Sequence, residues 1–280
     1  MIEAEEDLRR TLAGMGGYSS SEEDVLQEEY EVRGGKYVFP ILYALIKNKN
    51  HATYEKLFGM VKALMPGFNP TSINVDFEQS AIRALRDAFP DAPNSEDSKI
   101  AGCFFHLLKN FKKQLGDAGL MQKYRDPTTD FALTSRMLMS LAFVPPINIY
   151  ECFRELKTYL LRQEPSLEPV IMWFSSYYVG TVMRPPPFPV HLWSCYNRTL
   201  AGQDRTNNFA EAAHRRLHTI LGVDHPTIGH FLGEMKKAQK LSDHSYEQCV
   251  MGQPAPKKEE YTWKRTKEFS LWCNCLAKKV

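Results

Sequence analysis

Polar and apolar residues change texture several times along the chain. Residues 1–24 are polar and rich in Gly, Ser and Glu (GMGGYSSSEED), which reads as a flexible acidic tail. EYEV and KYVFPILYALI then flank Arg33-Gly34-Gly35, the pattern of a β-hairpin whose second, nearly all-apolar strand is covered on both faces. Tyr54, Leu57, Phe58, Val61, Leu64 and Met65 recur at helical spacing and predict a helix over about 52–65, ended by Pro66-Gly67. Residues 72–77 predict a short strand, 79–89 a second amphipathic helix, and PDAPNSEDSK a loop. A third buried strand is expected over 100–105, leading into a basic helix over 107–115.

From about 117 to 200 strand signals vanish. Helical stretches (131–143, 147–161, 167–178) are punctuated by prolines, and Pro185-Pro186-Pro187 with Pro189 reads as a stiff extended connector. A last helix is expected from Thr206 to Leu221, with Thr206, Asn207 and Asn208 as cap candidates. This order predicts an α/β core interrupted by an all-helical insertion. The segments are an acidic tail (1–24), the first part of the core (25–116), the helical insertion (117–200), a closing core helix (201–232) and a basic polar tail (233–280). A doubly wound nucleotide-binding fold is the rival, but no Gly-rich phosphate loop follows a strand, and G-x-S-x-G and H-E-x-x-H are both absent.

Composition narrows the classes. Hydrophobic residues make up 43% and charged residues 24%, which excludes wholesale disorder and collagen-like repeats. No window approaches the roughly 18 apolar residues of a membrane span. The opening MIEAEEDLRR lacks the basic-then-apolar pattern of a secretory signal, so a reducing compartment is expected. Cys103, Cys152, Cys195, Cys249, Cys273 and Cys275 are scattered without C-x-x-C spacing, which reads as buried free thiols rather than a zinc ribbon. The net charge of +2 hides an asymmetry: residues 1–36 carry ten acids against four bases, and the remainder is net basic. A mildly basic body permits a polyanion partner without demanding one.

Four groups of residues could carry chemistry. Asp76 stands at the end of the 73–75 strand, where α/β folds bind ligands; it is either a metal-binding carboxylate or the N-cap of the next helix. Cys103 and His106 form C-x-x-H at a strand-to-helix junction, either a zinc-type pair or a core thiol with a hydrogen-bonded imidazole. Glu211, His214 and His218 share one side of the 206–221 helix and could ligate a metal or form a solvated polar face. Arg198, Arg205, Arg215 and Arg216 crowd the same region and could hold a phosphate backbone. Trp193 could stack on a base or plug the insertion onto the core.

Taken together, these pieces resemble the catalytic domain of Mutator-like (MULE) transposases. The resemblance is carried by GGKYVFPILYALIKNKNHATYEKLF, NPTSINVDFEQSAIRALRDAFP, GCFFHLLKNF, LAFVPP and FPVHLWSCYNRTLAGQDRTNNFAEAAHRRLH, in that order, from about Tyr30 to Phe231. It implies an RNase H-like core with a helical insertion, and two aspartates and a glutamate that hold two Mg²⁺ (or Mn²⁺) ions. Such a site cuts and joins DNA strands in transposition. Asp76 matches the family's second aspartate and Glu211 its glutamate, as catalytic residues and metal ligands. Cys103, His106 and His214 match positions that support the site. DNA is the implied partner, with Arg198, Arg205, Arg215, Arg216 and Trp193 as its contacts; a homo-oligomer and a nuclear location are implied too. No membrane and no organic cofactor are expected. A structural zinc on Cys103, His106, His214 and His218 is the less favoured cofactor.

One element of the family pattern is missing. The family places its first aspartate in a D-G-T-F-like strand about 14 residues before the position of Tyr30, where this chain reads GMGGYSSSEEDVLQ. The opening strand of the core is therefore expected to be incomplete, as in a chain lacking the N-terminal portion of the domain. Strand transfer is expected to be impaired, and the alternative is a non-catalytic DNA-binding or regulatory protein derived from a transposase.

Overall fold

Two short strands form a parallel pair: Ile73–Val75 (β1) runs alongside Ile100–Gly102 (β2), with Ile73 opposite Ile100 and Val75 opposite Gly102. The computed structural model describes residues 42, 44, 46–90, 100–181, 183–203, 205–206, 219–222 and 227–253. Within them the helices are α1 (His51–Leu64), α2 (Gln79–Ala88), α3 (Phe104–Asp117), α4 (Met121–Arg125), α5 (Phe131–Ser140), α6 (Ile149–Gln163), α7 (Glu168–Phe174), α8 (Val190–Trp193), α9 (Tyr196–Leu200) and α10 (Ile228–Val250). The chain divides into two compact units. Of the described residues, 46–59 and those between 69 and 206 fall in one unit, and 42, 44, 60–68, 219–222 and 227–253 in the other. Both strands and α2–α9 belong to the first unit, α10 to the second.

Parallel strands need a crossover, and α2 lies on it. Ile82, Ala84 and Leu85 bury one side of α2, while Arg83, Arg86 and Asp87 stay exposed. The described residues thus form a mostly helical structure with one small parallel sheet, an α/β arrangement in outline. The expected hairpin over 29–46 lies outside them except for Leu42, Ala44 and Ile46, which are not in a strand, and the larger sheet implied by an RNase H-like core is not seen among the described residues.

The expected strand over 100–105 is shorter than its apolar run suggested. β1 ends at Val75, whose carbonyl accepts from Cys103 N at 2.8 Å, and beyond that point β2 has no strand beside it among the described residues. The chain turns helical instead: His106 N and Leu107 N both donate to the Cys103 carbonyl, at 3.0 and 3.1 Å. Phe104 and Phe105 therefore belong to α3. The helix-spaced set Leu107, Phe111 and Leu115 is buried and outweighs the local Phe-Phe signal.

The insertion is helical as expected. Its only strand-like feature among the described residues is an isolated bridge between Thr181 and Arg184. Its centre is aromatic. Phe174 and Tyr178 stack with ring centroids 5.2 Å apart, Trp193 meets Phe174 edge-on at 5.5 Å, and Phe188 stacks on Tyr178 at 5.4 Å. Phe77, just past β1, joins through edge contacts with Tyr178 and Phe188. A single π-type turn over Ser175–Val179 widens the helix, and its Tyr178 carbonyl accepts the indole N–H of Trp193 at 2.8 Å. Gly180 ends it at φ +70°, where an added Cβ would lie 2.5 Å from Pro186 Cδ. The proline connector and the π turn are thus fitted to each other through a glycine.

Three helices were not anticipated in the sequence reading. The stretch around the connector also contains the short helices α8 and α9. And α10 runs through to Val250, where a basic polar tail was expected from 233. Thr227 caps α10, its hydroxyl accepting from His230 N at 3.3 Å. Polar pairs at helical spacing line its surface, Lys237 with Glu234 at 2.6 Å and Gln239 with Asp243 at 2.7 Å. No helix among the described residues is long and apolar enough to cross a membrane.

Candidate functional site at the carboxyl ends of the strands

Asp76 follows β1 directly and its side chain is 53% exposed. The helix-cap reading does not hold, because the N-cap of α2 is Glu78 and Asp76 stands two residues earlier. The Asp76 carbonyl accepts from Glu78 N at 2.8 Å in a tight turn, which leaves the carboxylate at the strand end. His106, in the first turn of α3, brings Nδ1 to 3.0 Å from Asp76 Oδ1, with its own side chain 13% exposed. The C-x-x-H spacing accomplishes this: Cys103 sits at the N-cap and is fully buried, and three residues on the chain has turned to face β1.

The carboxyl end of the sheet is closely built. At Gly102 an added Cβ would come within 2.6 Å of the Phe77 ring and 3.2 Å of the Leu192 carbonyl. Glycine here lets the ring and α8 close over β2. Arg198 straps the same corner. One guanidinium nitrogen reaches the carbonyls of Gly102 and Ser194, each at 3.1 Å, and the sulfur of Cys195 at 3.4 Å; the other is 3.4 Å from Asn74 Oδ1. Arg205 anchors the start of α3, its carbonyl accepting from Phe104 N at 2.9 Å, while its guanidinium lies 5.8 Å from the Phe143 ring centroid.

Two of the residues expected to contact DNA make contacts within the protein. Trp193 is 1% exposed and its N–H is already donated, so it plugs the insertion rather than stacking on a base. Arg198 is spent on protein acceptors and acts as a strap. Arg205 remains partly exposed. Glu211, His214, Arg215, Arg216 and His218 lie outside the described residues, so the structure brings together Asp76, Cys103 and His106 and does not bear on the rest.

Burial pushes the Cys195 thiol up to about 11, against a smaller opposing pull from Arg198, which keeps it protonated at neutral pH. Cys103 is equally buried. Among the described residues, one grouping of three histidine and acid ligands comes within ion-binding distance: His51, Glu55 and Asp87. His51 meets Glu55 through Nδ1 and Asp87 through Nε2, each at 3.3 Å, so its ring joins α1 to α2 at the surface. Sequence reading missed this cluster, although the i, i+4 spacing of His51 and Glu55 was visible. It also missed the Asp76–His106 contact, which requires knowing that β1 and β2 are neighbours.

The site is therefore a half-exposed carboxylate at the carboxyl end of a parallel strand, backed by a partly buried imidazole. That is where α/β proteins place ligand-binding acids. Residues 30–110 match the family model of the MULE transposase domain. The match takes in β1, Asp76, α2, β2 and the C-x-x-H pair, and over that segment it bears out the family resemblance. Neither the comparison with curated proteins nor that with solved structures returns a match.

Proposed function

We propose that this protein acts in DNA transposition through metal-dependent strand cleavage and transfer, with Asp76 as one ligand of the catalytic cation. The observation that carries the reading is the exposed Asp76 carboxylate at the carboxyl end of β1, inside the segment that matches the MULE domain. The donor chemistry fits a hard cation, since carboxylate oxygen is what Mg²⁺ or Mn²⁺ selects. Such a cation would supply Lewis-acid stabilisation of the attacking and leaving oxygens at phosphorus. The chain's own residues prepare the place. His106 orients the Asp76 carboxylate, Gly102 lets Phe77 and α8 seal the sheet behind it, and Arg198 holds the strand ends in register.

In this reading the sheet is part of an RNase H-like core, Glu211 is the second acid, and His214 supports it. Arg205, Arg215 and Arg216 meet the DNA backbone, and the protein works in the nucleus as a homo-oligomer. A nicking assay on terminal-repeat DNA with Mg²⁺ or Mn²⁺ tests it. Asp76→Asn and Glu211→Gln should each lower cleavage on the order of 100-fold or more, as expected when a metal ligand worth several kcal/mol is lost. Cleavage that survives EDTA, or an Asp76→Asn variant at full rate, sinks the catalytic reading.

A second reading is favoured by one observation: the stretch GMGGYSSSEEDVLQ has no D-G strand to supply a first aspartate. Here the protein is a DNA-binding or regulatory derivative of a transposase, impaired in cleavage. Its signature is salt-dependent DNA binding without nicking in either metal.

A further inference from the structure

The outer face of α3 belongs to no site described above. Phe105, Lys109, Lys112 and Lys113 are all exposed, while Leu107, Phe111 and Leu115 bury the opposite face. Their spacing of four, seven and eight residues from Phe105 places them along one side of the helix. Phe105 is 44% exposed, and its ring lies edge-on to His106 at 5.7 Å. The row therefore begins beside the imidazole that contacts Asp76 and leads away from it. Among the described residues no carboxylate is ion-paired with any of the three lysines, and the only acid in α3, Asp117, is its last residue. Three exposed ammonium groups in line make a local positive stripe, which favours a polyanion as its partner.

We propose that this face of α3 is a DNA-backbone ridge: Lys109, Lys112 and Lys113 track the phosphates of one strand, and Phe105 packs on a sugar or base next to the Asp76 site. The inference rests on the proposed DNA-acting role and names the surface that delivers the strand. From Phe105 to Lys113 the helix rises about 12 Å, which matches roughly three to four nucleotide steps along one strand. A row of lysines contacts phosphate without reading sequence, so the ridge positions DNA and leaves specificity to other parts of the protein.

The test is DNA binding by the whole protein against salt, measured by fluorescence anisotropy on a short duplex of arbitrary sequence. Replacing Lys109, Lys112 and Lys113 together with Gln should make the plot of log affinity against log salt shallower by roughly 0.9 for each lysine. Replacing Arg154, Lys157 and Arg162 on α6 with Gln removes the same charge elsewhere and should leave the slope intact. Phe105→Ala should lower affinity by the same factor at every salt concentration, because an apolar contact releases no counterions. Melting curves of each variant report on folding. An unchanged slope in the α3 variant, an equal loss in the α6 variant, or competition by polyglutamate as effective as by DNA overturns the ridge. If the wild-type protein shows no salt-dependent binding, the ridge and the DNA-acting role fall together; binding or cleavage by the wild type with an unaffected α3 variant removes the ridge alone.

Discussion

The two ends of the Gly102 neighbourhood are built on opposite principles. On one side, Asp76 stands half in solvent, at the start of a tight turn and with His106 Nδ1 3.0 Å from its carboxylate. On the other, Trp193 is almost entirely enclosed by Phe174 and Tyr178, with its one polar atom donated to the π turn. The aromatic side derives its stability from dry contact area, which penalises any change in shape. The carboxylate side contributes little to stability, because an exposed acid keeps most of its hydration. Stability and the proposed chemistry are thus separated within a few residues, and Arg198 with Gly102 joins the two sides. The separation explains how a site acid can remain open to a ligand: the neighbouring aromatic block holds the strand ends in place without help from it.

That contrast can be broken experimentally. The largest effect should come from Trp193→Ala, a loss of about 3–5 kcal/mol in chemical denaturation, from the cavity and the orphaned Tyr178 carbonyl together. A cost under about 1 kcal/mol would mean that the aromatic block does not hold this corner. Next comes Gly180→Ala. The backbone there is at φ +70°, and Pro186 occupies the space a Cβ would need, so a loss on the order of 1–3 kcal/mol is expected from the backbone alone. A neutral result would show that the connector and the π turn are not fitted as described. Smallest is Asp76→Asn, which should shift stability by no more than about 0.5 kcal/mol while abolishing most cleavage. A large destabilisation by that change would make Asp76 a structural residue and blur the comparison.

Much of the fold was legible in the sequence because it depends on near neighbours. The spacing of Tyr54 and Phe58 and the amphipathic and basic stretches over 79–89 and 107–115 predicted three helices within a few residues of their ends. The strand before Asp76 and the helical character of 131–178 were equally visible. The end of β2 was not, since it depends on where β1 stops. Nor was α10, whose polar surface hides a helix that its own side-chain pairs and its Thr227 cap support.

The sequence by itself determined the elements set by local periodicity, a family resemblance that the family model bears out over 30–110, and Asp76 and C-x-x-H as the residues to watch. Only the tertiary structure decided what such residues touch. Trp193 and Arg198 have the composition of a nucleic-acid surface, yet one is enclosed and the other is a strap. The sequence left Trp193 open between stacking and a plug, and it held no sign of Arg198's acceptors, which lie 96 and 124 positions away. Such contacts leave no local pattern, because they exist only once parallel strands and a helical block have met. The Asp76–His106 contact has the same origin, since two residues thirty positions apart face each other only when β1 and β2 pair.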